Sequence, residues 1–255
     1  MWLLRILPII FSFTSCISMA SAESFWINYA DKVTIPDEIG MVILSPYAEV
    51  KGDKNKVYAY ISLTELSRNS PLIKQLPKES IAAENTTWSS YLVYINHPIW
   101  HRIIEQELDW ILQQGYQHLF IDTIDGIETL CQKNSDKCDD YRSHALELIQ
   151  LMRKRIPGNF IANRGFSIYP GMKENIQGVL IESFFYGKQG DHYEQRTKNE
   201  MEWLSTWVKR LQDDNKFILA VDYAENLSPA KYADLKEKSN EIDITWGINN
   251  ELLQY

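Results

Sequence analysis

Cysteine is scarce, three in 255 residues, which excludes a disulfide-framed miniprotein. There is no CxxC pair and no histidine beside the cysteines, so four-coordinate zinc has little support. No serine stands in a Gly-x-Ser-x-Gly elbow, which argues against acyl transfer of that type. No glycine-rich phosphate turn follows the first apolar run, which counts against a dinucleotide-binding sheet. No run of Lys and Arg longer than Arg153-Lys154-Arg155 interrupts an acidic balance of 26 Lys+Arg against 34 Asp+Glu, a poor electrostatic match for nucleic acid or anionic lipid. No linker or low-complexity tract divides the chain, so one domain is expected. What remains is an ordinary globular composition, 45% apolar and 12% aromatic, rich enough to bury a core.

Residues 1–22 read MWLLRILPIIFSFTSCISMASA. One early cation (Arg5), an apolar stretch and the small triplet Ala20-Ser21-Ala22 predict a signal peptide cleaved before Glu23. Ser12, Thr14, Ser15 and Ser18 dilute the stretch as a membrane anchor, and nothing after it arrests transfer. A lipoprotein reading through Cys16 ranks second, because Phe13-Thr14-Ser15 approaches such a site imperfectly. Residues 23–255 are then the mature domain, secreted or periplasmic, with 25 cations against 34 anions and no membrane attachment. In an oxidising compartment Cys131 and Cys138 are expected to pair across a polar loop, a metal clip being the rival.

Eight short apolar runs punctuate the mature chain: 25–30, 40–45, 56–63, 118–122, 159–163, 178–183, 217–223 and 242–248. Continuous runs such as Leu119-Phe120-Ile121 point to strands buried on both faces of a parallel sheet. Between them, amphipathic spacing predicts helices over 98–114, 143–155 and 200–212, with a last one opening at Ser228-Pro229. Strands joined by helical crossovers give an α/β fold, a single (β/α)8 TIM barrel that is irregular in its first units. The runner-up is an open doubly wound sheet. A monomer is expected.

Three runs end on an acid: Asp122, Glu182 and Asp222. The C-terminal ends of barrel strands line the active-site face, so these carboxylates are expected to converge on one mouth. Helix capping is the bland alternative; for Asp122 it fails if, as the pattern reads, about twenty polar residues precede the next helix. Asp125, Asn163 and Arg164 are candidates for the same mouth, with Arg164 holding one carboxylate ionised. Tyr47, Tyr60, Tyr186, Tyr223 and Trp246 fall at or just after strand runs and are candidate sugar-stacking rings. His97, His101 and Glu105 share a helical spacing, but without a Glu beside the first His the metal signal is weak. No cofactor is expected.

Phe120-Ile121-Asp122-Thr123-Ile124-Asp125, Asn163-Arg164-Gly165, Ile181-Glu182-Ser183 and Val221-Asp222-Tyr223, taken in order, resemble the endo-α-1,4-polygalactosaminidase family of glycoside hydrolases. The hydrolase domain of the Pel exopolysaccharide proteins is a related group. Val57–Leu63 and Asn96–Trp100 also fit, so the likeness spans roughly Trp26 to Ile248. The resemblance implies a TIM barrel that cleaves an α-1,4-linked, galactosamine-rich and cationic polysaccharide. On the matching positions Asp122 is the nucleophile and Glu182 the general acid/base, with Asp125, Asn163, Arg164 and Asp222 shaping the subsites. The chain departs from a typical member in its compact size and its Cys131–Cys138 loop. Two other functions remain open: a barrel that binds glycan without cutting it, and a metal-dependent polysaccharide deacetylase.

Overall fold

Strands form within all eight apolar runs: Phe25–Asn28, Met41–Leu44, Val57–Ser62, His118–Asp122, Phe160–Asn163, Gly178–Glu182, Phe217–Asp222 and Thr245–Ile248. They lie side by side in chain order, every neighbouring pair parallel. The computed structural model describes residues 24–189, 192–223 and 227–249; the expected signal segment, residues 1–22, lies outside the described residues. The sheet curls into a nearly closed (β/α)8 barrel. Between the last strand and the first, Asn249 Nδ2 donates to the carbonyl of Ile27 at 2.8 Å.

Alternation along each strand sorts side chains between two cores. Ile27, Ile43, Tyr58, Phe120, Ile161, Leu180, Leu219 and Val221 fill the barrel interior. Leu119, Ile121, Ala162, Val179, Ile181, Ile218 and Ala220 point the other way and pack beneath the helices. This double burial explains why the runs are continuously apolar.

The outer layer is carried by α1 (Pro98–Gln113), α2 (Gly126–Lys133), α3 (Cys138–Arg155), α4 (Tyr169–Met172), α5 (Lys198–Asp213) and α6 (Pro229–Glu241). In α1, Nδ1 of His97 accepts from the Ile99 N–H and Pro98 takes the first turn. His101 lies 3.6 Å from Glu105 on the exposed side of that helix. Trp100, which the spacing did not single out, is buried and donates Nε1–H to the Leu63 carbonyl at 2.8 Å. Leu112, near the end of the helix, is exposed. Thr197 and Glu200 close a capping box on α5, and Ser228 caps α6.

One expectation is corrected here. Asp122 is not followed by a long polar loop: α2 starts at Gly126 and buries Ile127 and Leu130, and α3 starts at Cys138 instead of near 143. Only two apolar side chains on α2 reach the core, too few for a periodicity to register. The disulfide Cys131–Cys138 therefore ties the end of α2 to the start of α3.

No α-helix follows the first or second strand. A parallel pair, Lys32–Thr34 with Glu49–Lys51, takes that place. After the third strand comes a small antiparallel sheet, Glu65–Ser67, Ile81–Asn85 and Ser90–Val93, before α1. Among the described residues no helix is long and apolar enough to cross a membrane.

Candidate active site

Asp122, Asn163 and Glu182 end three consecutive strands, the fourth, fifth and sixth. Each stands two positions after an interior residue, Phe120, Ile161 or Leu180, so each side chain points into the barrel mouth. They line one cleft of about 500 Å³ together with Thr87, Trp88, Thr123, Asp125, Arg164, Lys188, Tyr193 and Tyr223.

Asn163 sits between the two acids. Its Nδ2 donates to Asp122 Oδ1 at 2.7 Å and to Glu182 Oε1 at 2.6 Å. Laid end to end, these bonds cap the separation of the two oxygens at about 5.3 Å. Burial raises both carboxyls above their ordinary range, and hydrogen bonds offset part of the rise at each. Glu182 is pushed further up by the charge of Asp122 and pulled back by hydrogen bonds from Asn163 and Tyr223 and by the Arg164 guanidinium. Asp122 is pulled back by hydrogen bonds from Asn163, the Thr123 backbone and the Tyr60 hydroxyl.

The residue after each of these three side chains adopts a left-handed backbone: Thr123 at φ 58°, Arg164 at 50° and Ser183 at 54°. Such conformations cost roughly 1–3 kcal/mol for non-glycine residues, and neighbours hold them. Thr123 Oγ1 lies 2.7 Å from Ser62 Oγ and accepts from the Thr64 N–H at 3.1 Å, while Thr64 Oγ1 donates to the Thr123 carbonyl at 2.6 Å. Arg164 donates to the Glu182 carbonyl, and Arg196 Nε to that of Ser183 at 2.7 Å. Gly165 continues the turn at φ 72°, where a Cβ would come within 2.7 Å of Ile124. These kinks end each strand just as its functional group clears the interior.

Asp125 sits at the rim, accepting from the Gly165 N–H at 3.2 Å, so it belongs to the cleft along with Arg164. Tyr60 supports Asp122 from the interior, and Tyr223 hydrogen-bonds Glu182. Four other expected subsite residues lie elsewhere. Asp222 alternates with Val221 and therefore points outward. It is fully buried, accepting from the Phe185 and Tyr186 N–H groups at 3.1 and 3.0 Å and from Trp246 Nε1 at 2.7 Å. Trp246 and Tyr186 pack in the outer core with it. Tyr47 stacks on Trp110 and donates to Glu107 at 2.9 Å, on the flank of α1.

Missed by the sequence reading are Trp88 and Thr87, on the turn between Ile81–Asn85 and Ser90–Val93, and Lys188 and Tyr193, on the hairpin Tyr186–Gln189/His192–Gln195. A tryptophan set in a run of Asn, Thr and Ser was the available signal for the first.

A family model for glycoside-hydrolase family GH114 matches residues 23–254. An uncharacterized protein of Methanocaldococcus jannaschii is 27% identical over 184 residues, 66% of this chain and 52% of its own. One of Thermotoga maritima is 26% identical over 204 residues, 75% of this chain and 60% of its own. The chain thus spans little more than half the length of these curated relatives. Among solved structures, the glycoside hydrolase domain of PelA from Pseudomonas aeruginosa superposes with a TM-score of 0.75 at 19% identity, covering 91% of this chain and 96% of that one. Aspergillus fumigatus Ega3, in complex with galactosamine, gives 0.70 at 13% identity, covering 92% and 94%. At such identities the likeness is one of fold.

Proposed function

The chain belongs to glycoside-hydrolase family GH114, and on that footing we propose that it is an exported glycosidase cleaving α-1,4-linked, galactosamine-rich polysaccharide. Glycoside cleavage needs two carboxyl groups in different protonation states flanking one bond. The shared Asn163 donor carries this reading. Two carboxyl oxygens no more than about 5.3 Å apart leave little room for the water that inversion places between acids about 6.5–9.5 Å apart, and so favour direct attack by a carboxylate.

In the proposed mechanism Asp122 is the nucleophile. Glu182 protonates the leaving glycosidic oxygen, and Asp122 forms a covalent bond to the anomeric carbon. Glu182, now ionised, takes a proton from water, which hydrolyses that bond with net retention. Asn163 keeps both acids in register. The acidic surface and Asp125 at the rim suit a cationic glycan. The N-terminal segment and the disulfide support export to the periplasm or medium.

Asp122→Asn and Glu182→Gln, prepared separately, test this reading by reducing ends released from an α-1,4-galactosamine polymer. Each variant is expected to lose at least a hundredfold in rate, and the parent's first product, followed by proton NMR, to carry the α configuration. A parent that binds the polymer without cutting it would favour the glycan-binding alternative.

A further inference from the structure

Trp88 is 59% exposed, the most exposed of the large apolar side chains among the described residues, and it faces the same cleft as both acids. Its place at the mouth of the cleft that holds both acids leaves the indole face open to a ligand. Its turn, residues 86–89, is firmly held. Glu65 lies beneath it and accepts from Asn85 Nδ2 at 3.2 Å on each oxygen, and also from the Ser90 hydroxyl. Asn85 and Ser90 are the residues at which the turn leaves and rejoins its sheet. The Trp88 N–H in turn faces Asn85 Oδ1 at 3.4 Å. The Glu65 N–H donates to Ser62 Oγ at 3.0 Å, the hydroxyl that contacts Thr123. One chain of hydrogen bonds therefore links the residue after Asp122 to the turn that displays Trp88.

We propose that Trp88 is a stacking platform for the sugar on the Asp122 side of the scissile bond, and that Glu65 is the positioning residue that holds it there. The inference rests on the glycosidase reading and extends it to a named specificity determinant. An indole face receives the C–H face of a pyranose, and it is also the best aromatic partner for the ammonium of an unacetylated hexosamine. On the hairpin that follows the Glu182 strand, Tyr193 stands beside Tyr223, with Lys188 over its ring. The indole is carried by the sheet that follows the third strand, neighbour of the Asp122 strand, and the lysine by the hairpin that follows the Glu182 strand, so the free-amine sugar belongs at Trp88.

The test compares the full chain with Trp88→Ala, Trp88→Phe, Glu65→Gln and the double variant E65Q/W88A, each checked for cooperative unfolding. The substrates are α-1,4-galactosamine polymer and the same polymer after N-acetylation. Trp88→Ala is expected to raise KM for the amine polymer about tenfold with a smaller effect on kcat, with Trp88→Phe between it and the parent. The N-acetylated polymer should lose less, because it lacks the ammonium. Glu65→Gln should raise KM in the same direction, and the double variant should show no more than Trp88→Ala alone. A parent that cuts the polymer while Trp88→Ala keeps its KM would overturn this inference and leave the glycosidase reading standing. Additive effects in the double variant would overturn the role of Glu65. A parent that cuts neither polymer would overturn both readings.

Discussion

Asn163 donates one amide hydrogen to Glu182, at 2.6 Å, and the other to Asp122. A neutral side chain thus joins two acids that ionise against each other. Removing it in Asn163→Ala is expected to lower kcat about a hundredfold, the size seen when one preorganised donor is lost from an active site. Asn163→Asp should do worse, because a third buried carboxyl replaces the donor. Steady-state rates on a galactosamine polymer check both, with circular dichroism to show that the barrel is retained.

The same coupling makes the titration of one acid depend on the other. Glu182 is raised by burial first and by the Asp122 charge second. In Asp122→Asn the second cause is gone, so the Glu182 pKa is expected to fall while staying above that of an exposed glutamate. Carbon-13 carboxyl titration measures it. A Glu182 that titrates identically in both proteins would show that the acids do not communicate.

Asp222 is expected to act on stability more than on chemistry. Three donors from Phe185, Tyr186 and Trp246 converge on a fully buried carboxylate. Asp222→Ala strands them and should cost about 3 kcal/mol of unfolding free energy, read by urea titration. Because Phe185 and Tyr186 lead into the hairpin that carries Lys188 and Tyr193, KM should also rise.

The fate of Asp222 shows what was legible in the sequence and what was not. The strands were readable because burial on both faces leaves continuous apolar runs. Asp122, Asn163 and Glu182 were readable because each ends such a run. Asp222 ends one too, but position along a strand does not fix facing. Parity does: Leu219 and Val221 point inward, so Asp222 cannot. Tyr47 and Trp88 depend on long-range packing instead. Tyr47 finds Trp110 and Glu107 some sixty positions away, and Trp88 is aimed by Glu65 across a sheet that no periodicity announced. The left-handed turns at Thr123, Arg164 and Ser183 left no trace, since none is glycine.

The disulfide closes a small loop between α2 and α3, with a sequence separation of seven residues. Chain-entropy arguments give such a loop about 2.5 kcal/mol. The double variant C131S/C138S should therefore unfold at lower denaturant by about that amount, while its activity at a permissive temperature changes little, because neither cysteine lines the cleft. Reduction of the parent with dithiothreitol should reproduce the shift.

Glu182→Gln carries a last expectation, opposite in sign to its effect on catalysis. The Glu182 carboxyl holds its proton more tightly in the folded chain than in the unfolded one, because burial and Asp122 both disfavour its charge. Between the ordinary glutamate value and the raised folded value, the folded state binds more protons, so stability falls as pH rises through that window. Above the window the full cost is present; below it, none is. Glutamine fills the same space with no charge to desolvate and keeps an oxygen for Asn163. The variant is therefore expected to be inactive yet more resistant to urea than the parent near pH 7, with the advantage shrinking toward about pH 4 as the parent's carboxyl is protonated. Parallel urea titrations at the two pH values measure the difference, to which the coupled titration of Asp122 also contributes. An advantage that grew on acidification would mean that Glu182 is stabilised as a carboxylate, and Asp122 would then have to be the acid.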